Sequence, residues 1–284
     1  MNAYSSEVFH FERWLMLLGK HWAENGKRYI LFVLVLAGIL LAWFSFLLTV
    51  DSWSLIDITT QFSTYFFGLY VAGCLYAGSL FSDLCLKREG ISFLALPASQ
   101  LEKLLCVLFY GVLVFFVTYT VVFYLIDIPM VQLSNRILEQ HPRNMPNAMV
   151  RVAPTIVYNV FTGDGGPYFE RSNHLFLLGF FSVQGVFILG PLYFSRFVVI
   201  KSILVVLLCM FAMVIAHERI INLFLPQHWR LLHFSWVQYD EADHPAHFVY
   251  LSRSLTSALT ALAQYGIPVL VWTIAYYRLT EKEI

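Results

Sequence analysis

The sequence predicts an all-α integral membrane protein: six transmembrane helices, an N-terminal interfacial amphipathic helix and two larger extracytoplasmic loops. Three observations carry that expectation. Six apolar stretches run from Tyr29 to Val50, Gln61 to Phe81, Leu104 to Ile126, Leu175 to Phe194, Phe197 to Ala216 and Leu255 to Tyr277. At about 1.5 Å rise per residue, each can cross about 30 Å of hydrocarbon. The 284-residue chain is 59% hydrophobic and 13% charged, with a mean hydropathy of +0.68. A water-soluble domain cannot hide that much apolar surface. Charge is also swept out of the stretches. A charged side chain at mid-bilayer costs about 2.5 to 3.5 kcal/mol on insertion scales, and these six contain only Lys201, close enough to one end to snorkel. Lipid offers backbone groups no water, so each span is expected to be helical. The polar and apolar alternation of a membrane barrel is missing.

Residues 1–28 carry mixed charge and no continuous apolar core, so no cleavable signal peptide is expected. Val8, Phe11, Trp14, Leu15, Leu18 and Trp22 recur at three- and four-residue intervals, the pattern of a helix lying on a membrane surface. Such a helix would orient the first span, and it could also dock a partner. Residues 29–126 follow as spans one to three, with a loop at 82–103.

Alternate loops differ in basic residues. Arg13, Lys20, Lys27 and Arg28, then Lys87, Arg88 and Lys103, then Arg196 and Lys201, and finally Arg278 and Lys282 share one side and include every lysine. The positive-inside rule therefore puts both termini in the cytoplasm. Cys74, Cys106 and Cys209 fall within spans and Cys85 beside one, so no extracytoplasmic disulfide is expected.

Within the 82–103 loop, Ser99 and Glu102 form a Ser-x-x-Glu capping box before the third apolar run. Pro97 forces a turn ahead of it. Ile91, Phe93, Leu94 and Leu96 are oddly apolar for a loop in water, and would rest on the membrane or fill a groove on another protein.

The segment 127–174 reads as an outer cap. Val131 to Gln140 suggests a short helix, 143–147 a turn, Thr155 to Phe161 a strand, and 162–167 another turn. Residues 175–284 hold spans four to six, with an outer loop at 217–254. That loop tempts a metal reading through His228, His233, His244 and His247 beside Asp240, Glu241 and Asp243. No helical His-x-x-x-His pair occurs and Pro245 interrupts the last interval, so a solvated polar loop is preferred and no bound metal is expected.

Gly68 with Ala72, Gly73 with Ala77, and Ser257 with Ala261 have the spacing that lets helices approach closely. Packing explains them before any substrate path does. An intramembrane protease is not supported: Ser79 has no histidine in a span core to activate it, and His217-Glu218 lacks a second spaced histidine. The chain is therefore expected not to be an enzyme. Ion-driven carriers place acids or histidines in their spans, whereas the span interiors here offer uncharged groups such as Gln184 and Gln264. Proton coupling is not expected on that ground. No G-x-x-x-x-G-K-[ST] phosphate loop occurs either, so any ATP would be bound by another chain.

The stretch from Gly90 through Leu96-Pro97-Ala98-Ser99 to Glu102-Lys103-Leu104-Leu105 resembles the cytoplasmic segment of ABC-2 type ATP-binding-cassette exporter permeases. An amphipathic helix before six spans is similar to that family's pattern as well. The resemblance implies a coupling loop made of Arg88, Glu89, Gly90, Ile91, Phe93, Leu94, Leu96, Pro97, Ser99, Glu102 and Lys103, working with an interfacial helix marked by Phe11, Trp14, Leu18 and Trp22. It implies ATP and Mg on a separate ABC ATPase subunit and no cofactor bound here. It further implies a second permease subunit meeting this one through the first, second and fifth spans, and a place in a bacterial cytoplasmic membrane. Residues 220–226 and 231–234 are similar in placement to the short re-entrant helices that cap the family's exit path. Membrane lipid is an expected partner and nucleic acid is not. The neutral aromatic spans favour an amphiphilic cargo. The alternative is a membrane sensor or anchor whose outer cap binds a ligand or partner.

Overall fold

The computed structural model describes residues 9–50, 56–80, 98–140, 154–162, 167–194, 196–224, 229–233, 236–239, 247–250, 252, 254, 258 and 261–281. Its helices are α1 (Phe11–Val50), α2 (Ile58–Leu80), α3 (Gln100–Leu108), α4 (Phe115–Gln140), α5 (Pro167–Tyr193), α6 (Val198–Phe224) and α7 (Ile267–Glu281). A π-helical turn, Phe109–Val114, joins α3 to α4 without a break, and a second, Leu262–Gly266, leads into α7. Among the described residues four helical runs are long and apolar enough to cross a membrane: Phe11–Thr49, Gln100–Glu139, Asn173–Tyr193 and Val198–Ala216. The chain is helical and of multi-pass membrane type.

The expected separate interfacial helix differs from what is found. α1 is 40 residues of continuous helix, about 60 Å at helical rise, and the charged segment before Tyr29 simply continues into the apolar one. The stripe that buries Leu17 and Leu18 recurs five turns later at Leu36, Leu40 and Phe44, so one face serves the whole length. That face lies along the α3–α4 run, which is parallel to it: Arg13 meets Glu102, Phe32 lies 6.3 Å from Phe115, and Phe44 lies 6.0 Å from Phe123.

α2 packs between this pair and α5, and glycines set the distance. A Cβ on Gly68 would collide with the Tyr119 hydroxyl, and one on Gly73 would sit 2.5 Å from the Phe180 ring. Close packing thus accounts for both residues. α5 touches α2, α6 and α7. It turns into α6 through Phe194 to Phe197, the latter at φ 54°, an unusual value for a bulky residue. α6 is the least covered helix, with Ile200, Leu204, Leu207, Leu208 and Phe211 all exposed. Lys201 lies 5.4 Å from the Phe194 ring near the start of α6.

Both π-helical turns have local causes. Pro268 has no N–H and its ring would strike the carbonyl of Gln264, so the helix widens just before it. At the first, Gly111 receives Leu80 at a distance no Cβ would allow. The side-chain amide of Gln184 on α5 donates to the Gly111 carbonyl. This is the work of one polar residue singled out in the sequence as a span-interior group.

Three expectations for the loops change. α4 does not stop at Ile126 but runs on to Gln140, so Asp127 belongs to a buried helix face rather than to an outer loop. Thr155 to Phe161 is irregular, ends in a turn from Val160, and pairs with no strand among the described residues. Residues 231–234 were expected in a re-entrant helix. Instead Trp229–His233 (β1), Trp236–Tyr239 (β2) and His247–Tyr250 (β3) form an antiparallel sheet ordered β1-β2-β3. This sheet also departs from the all-α expectation.

Candidate functional site

One end of the bundle gathers the chemistry that the sequence singled out. Ser99 has extended backbone (φ −67°, ψ 156°) and caps α3: its hydroxyl accepts from the Glu102 N–H at 3.2 Å, and the Ser99 N–H donates to Glu102 Oε2 at 3.0 Å. That much is local. The other carboxylate oxygen is taken from about ninety residues away. Glu102 Oε1 accepts from the His10 backbone N–H at 2.7 Å and from Arg13 Nη2 at 2.9 Å and Nε at 3.3 Å. The Glu102 side chain is fully buried, while that of Arg13 is 39% exposed. A buried carboxylate is tolerable when every lone pair meets a donor, so the start of α1 and the cap of α3 are held as one unit.

Below this ion pair the same two helices interlock through rings. Trp14 stands edge-on to Phe109 at 5.7 Å, the Tyr110 hydroxyl donates to the Leu18 carbonyl at 3.0 Å, and His21, Trp22 and Tyr29 pack on Tyr110 at 4.9, 6.5 and 5.8 Å. Of the proposed interfacial residues, Trp14 and Leu18 face inward, while Phe11 and Trp22 stay exposed together with Leu15 and Met16. The exposed set borders the packed face, with Phe11 beside Trp14 and Trp22 beside Tyr110, and its outer surface can meet headgroups or protein. α7 closes the same end, where the Arg278 guanidinium lies 4.8 Å over the Tyr193 ring.

Of the proposed coupling-loop residues, Arg88, Glu89, Gly90, Ile91, Phe93, Leu94, Leu96 and Pro97 lie outside the described residues. Ser99, Glu102 and Lys103 are described. Glu102 and Lys103 turn into the bundle, so their visible role is to hold the base of the loop rather than to present a surface. His228 and His244 also lie outside the described residues. His233 pairs with Trp236 and His247 with Tyr239, at opposite ends of a three-stranded sheet. Two strand spacings and three residue steps separate their Cα atoms by roughly 14 Å, too far to share one ion directly. Among the described residues no group of three metal-ligating side chains is assembled.

The opposite end holds a polar network that the sequence did not reveal. Gln61 of α2 donates to the Ile156 carbonyl at 3.2 Å and accepts from the Tyr158 N–H at 2.7 Å. Tyr124 of α4 accepts from the Val160 N–H at 2.9 Å and donates to the Tyr158 carbonyl at 3.2 Å. Asn135 bonds both backbone groups of Thr155, and Asn173 of α5 binds the Tyr158 hydroxyl and the Val160 carbonyl. The irregular segment 154–162 thus spends backbone hydrogen bonds on side chains of three helices instead of on a neighbouring strand. A signal was available: Asn135 follows Val131 at one-turn spacing, and Gln61 opens an apolar run.

Comparison with protein-family models, curated proteins and solved structures finds no match.

Proposed function

We propose that this chain is the permease subunit of an ABC-2 type exporter, powered by a separate ATPase and moving an amphiphilic cargo outward. Six spans are proposed, the four long apolar helices together with α2 and the helix ending in α7. Both termini and the Arg13–Glu102 junction lie on the cytoplasmic side of a bacterial membrane. One observation carries the reading. The Leu96-Pro97-Ala98-Ser99 and Glu102-Lys103 stretch ends in a capping box whose carboxylate also grips the start of α1. A push on the 82–103 loop would therefore move two membrane helices together. The exposed α6 leaves room for the second subunit that the resemblance implies.

Co-purification tests this. The full chain should bring down an ATPase with a phosphate loop in roughly equal amount, and Phe93→Asp should abolish that association without preventing membrane insertion. Glu102 is unsuitable for this purpose, because reversing a buried charge would loosen the fold itself. Retention of the ATPase by Phe93→Asp would refute the coupling loop. The sensor reading has its own support in the polar network around 154–162. It would gain if no ATPase associated and a ligand altered exposure of that segment.

A further inference from the structure

At the network end, α4 buries a carboxylate that nothing in the described structure satisfies. Asp127 is fully buried, and neither carboxylate oxygen has a hydrogen-bond partner. Glu102, forty ångströms or so along the same helical run at about 1.5 Å per residue, shows the contrast: its oxygens meet four donors. Natural proteins seldom leave a buried ionised group alone, because the unpaired charge costs several kcal/mol or more, and the group takes up a proton or an ion instead.

The surroundings favour the proton. The titratable group beside Asp127 is a tyrosine hydroxyl, Tyr124 on its own helix, and Tyr65 of α2 and Tyr158 of the 154–162 segment lie in turn within electrostatic reach of Tyr124. α1 contributes no charged residue between Arg28 and Val50. Asp57, just ahead of α2, is exposed and bonds the Ile58 N–H. Arg136 and Glu139 of α4 and His174 of α5 are exposed. No described cation is placed to pair with the acid, and the Tyr124 hydroxyl beside it is already engaged with the Val160 N–H and the Tyr158 carbonyl.

We propose that Asp127 is a proton-binding site that latches the 154–162 segment onto α2 and α4. With the proton on, the neutral acid sits in its dry niche and the segment stays packed. With the proton released to water, the carboxylate must be hydrated, and hydration one turn from Tyr124 disturbs the hydroxyl that holds Val160 and Tyr158. The closed arrangement is therefore favoured in acid and lost as the pH rises through the titration of Asp127. The site is independent of which protein, if any, drives the opposite end.

Dicyclohexylcarbodiimide, an apolar reagent for protonated carboxyls, reads the proton directly. The acid proton moves to a carbodiimide nitrogen while the carboxylate oxygen adds to the central carbon. The O-acylisourea rearranges to an N-acylurea detectable by peptide mass spectrometry. In the full-length protein in lipid nanodiscs, Asp127 should be modified in mildly acidic buffer, with yield falling roughly tenfold per pH unit once the acid ionises. In parallel, protection of the Thr155, Tyr158 and Val160 amides against hydrogen exchange, corrected for the intrinsic pH effect, should fall over the same range. In Asp127→Asn it should stay flat. The labelling measurement needs no substitution, so it decides even where that variant fails to insert. Absence of the adduct at every pH, pH-independent yield, or equal pH response of wild type and Asp127→Asn would overturn the proposal.

Discussion

Whether α1 is tied to α3 by the Arg13–Glu102 pair can be measured by a double-mutant cycle with Arg13→Gln, Glu102→Gln and the pair. Arg13 supplies two donors to one oxygen. Net worth is about 1.5 to 3 kcal/mol for a hydrogen bond to a charged group, and partial exposure of Arg13 discounts that towards the lower figure. Removing Arg13 alone also leaves a buried carboxylate with backbone donors only, so about 2.5 kcal/mol is expected. Glu102→Gln keeps the shape and one acceptor oxygen and should cost about 1.5 kcal/mol. The double variant should cost no more than Arg13→Gln, a coupling of about 1.5 kcal/mol. Hydrogen exchange across residues 13–22 reads this as local opening. At about 1.4 kcal/mol per decade, protection should drop roughly 60-fold for Arg13→Gln, about tenfold for Glu102→Gln and again roughly 60-fold for both. A double variant near the product, roughly 600-fold, would mean the two side chains act independently, and the tie between α1 and α3 through this pair would be refuted.

Gly68→Ala should destabilise the bundle by about 1 to 3 kcal/mol in denaturant titration, because the new methyl meets the Tyr119 hydroxyl that bonds the Tyr65 carbonyl. Gly38→Ala, which faces open space on α1, should cost nothing and serves as control. Gln61→Leu leaves the Tyr158 N–H without its acceptor, and protease cleavage within 154–162 should accelerate by about tenfold while the rest of the chain keeps its resistance. Gln184→Leu removes the side-chain donor from the Gly111 carbonyl in the π-helical turn. Exchange at residues 109–116 should rise by a similar factor, and unchanged protection there would show that the amide contributes nothing.

The sequence made four of the expected spans legible because lipid imposes one demand, apolar length, that any folded arrangement must meet. The α3 cap was legible for a different reason: Ser99 and Glu102 satisfy each other over three residues, and local chemistry needs no tertiary knowledge. The rest of the Glu102 carboxylate was not legible, since its partners at His10 and Arg13 come from another helix. Asp127 was misplaced because hydropathy falls at a charge, whereas the helix runs on through Asp127 and Pro129 to Gln140. Val131 and Ser134, at one-turn spacing on the same buried face, carried the correcting signal. The segment from Trp229 was ambiguous on principle, because a short half-apolar run fits a strand and a re-entrant helix equally well.

What joins the two polar ends is a single structural element. From Gln100 to Gln140 the chain is helical without interruption, about 60 Å long at helical rise, with Glu102 near one tip and Ser134 and Asn135 near the other. A rod of that length transmits rotation or tilt only as well as its weakest turn. Besides the turn at Pro129, where the missing N–H removes one backbone bond, the weak turn is the π-helical one at Phe109–Val114, where the i to i−4 register is broken. Two contacts brace that turn from both sides: Tyr110 to the Leu18 carbonyl of α1, and Gln184 of α5 to the Gly111 carbonyl. The brace on α1 belongs to the same helix that Glu102 grips. Displacement of the α1–α3 junction therefore carries the turn with it rather than bending the rod there. Motion applied at the Arg13 end would reach the segment that Asn135 and Tyr124 hold, and α5, fixed to the turn through Gln184 and to that segment through Asn173, would be obliged to follow.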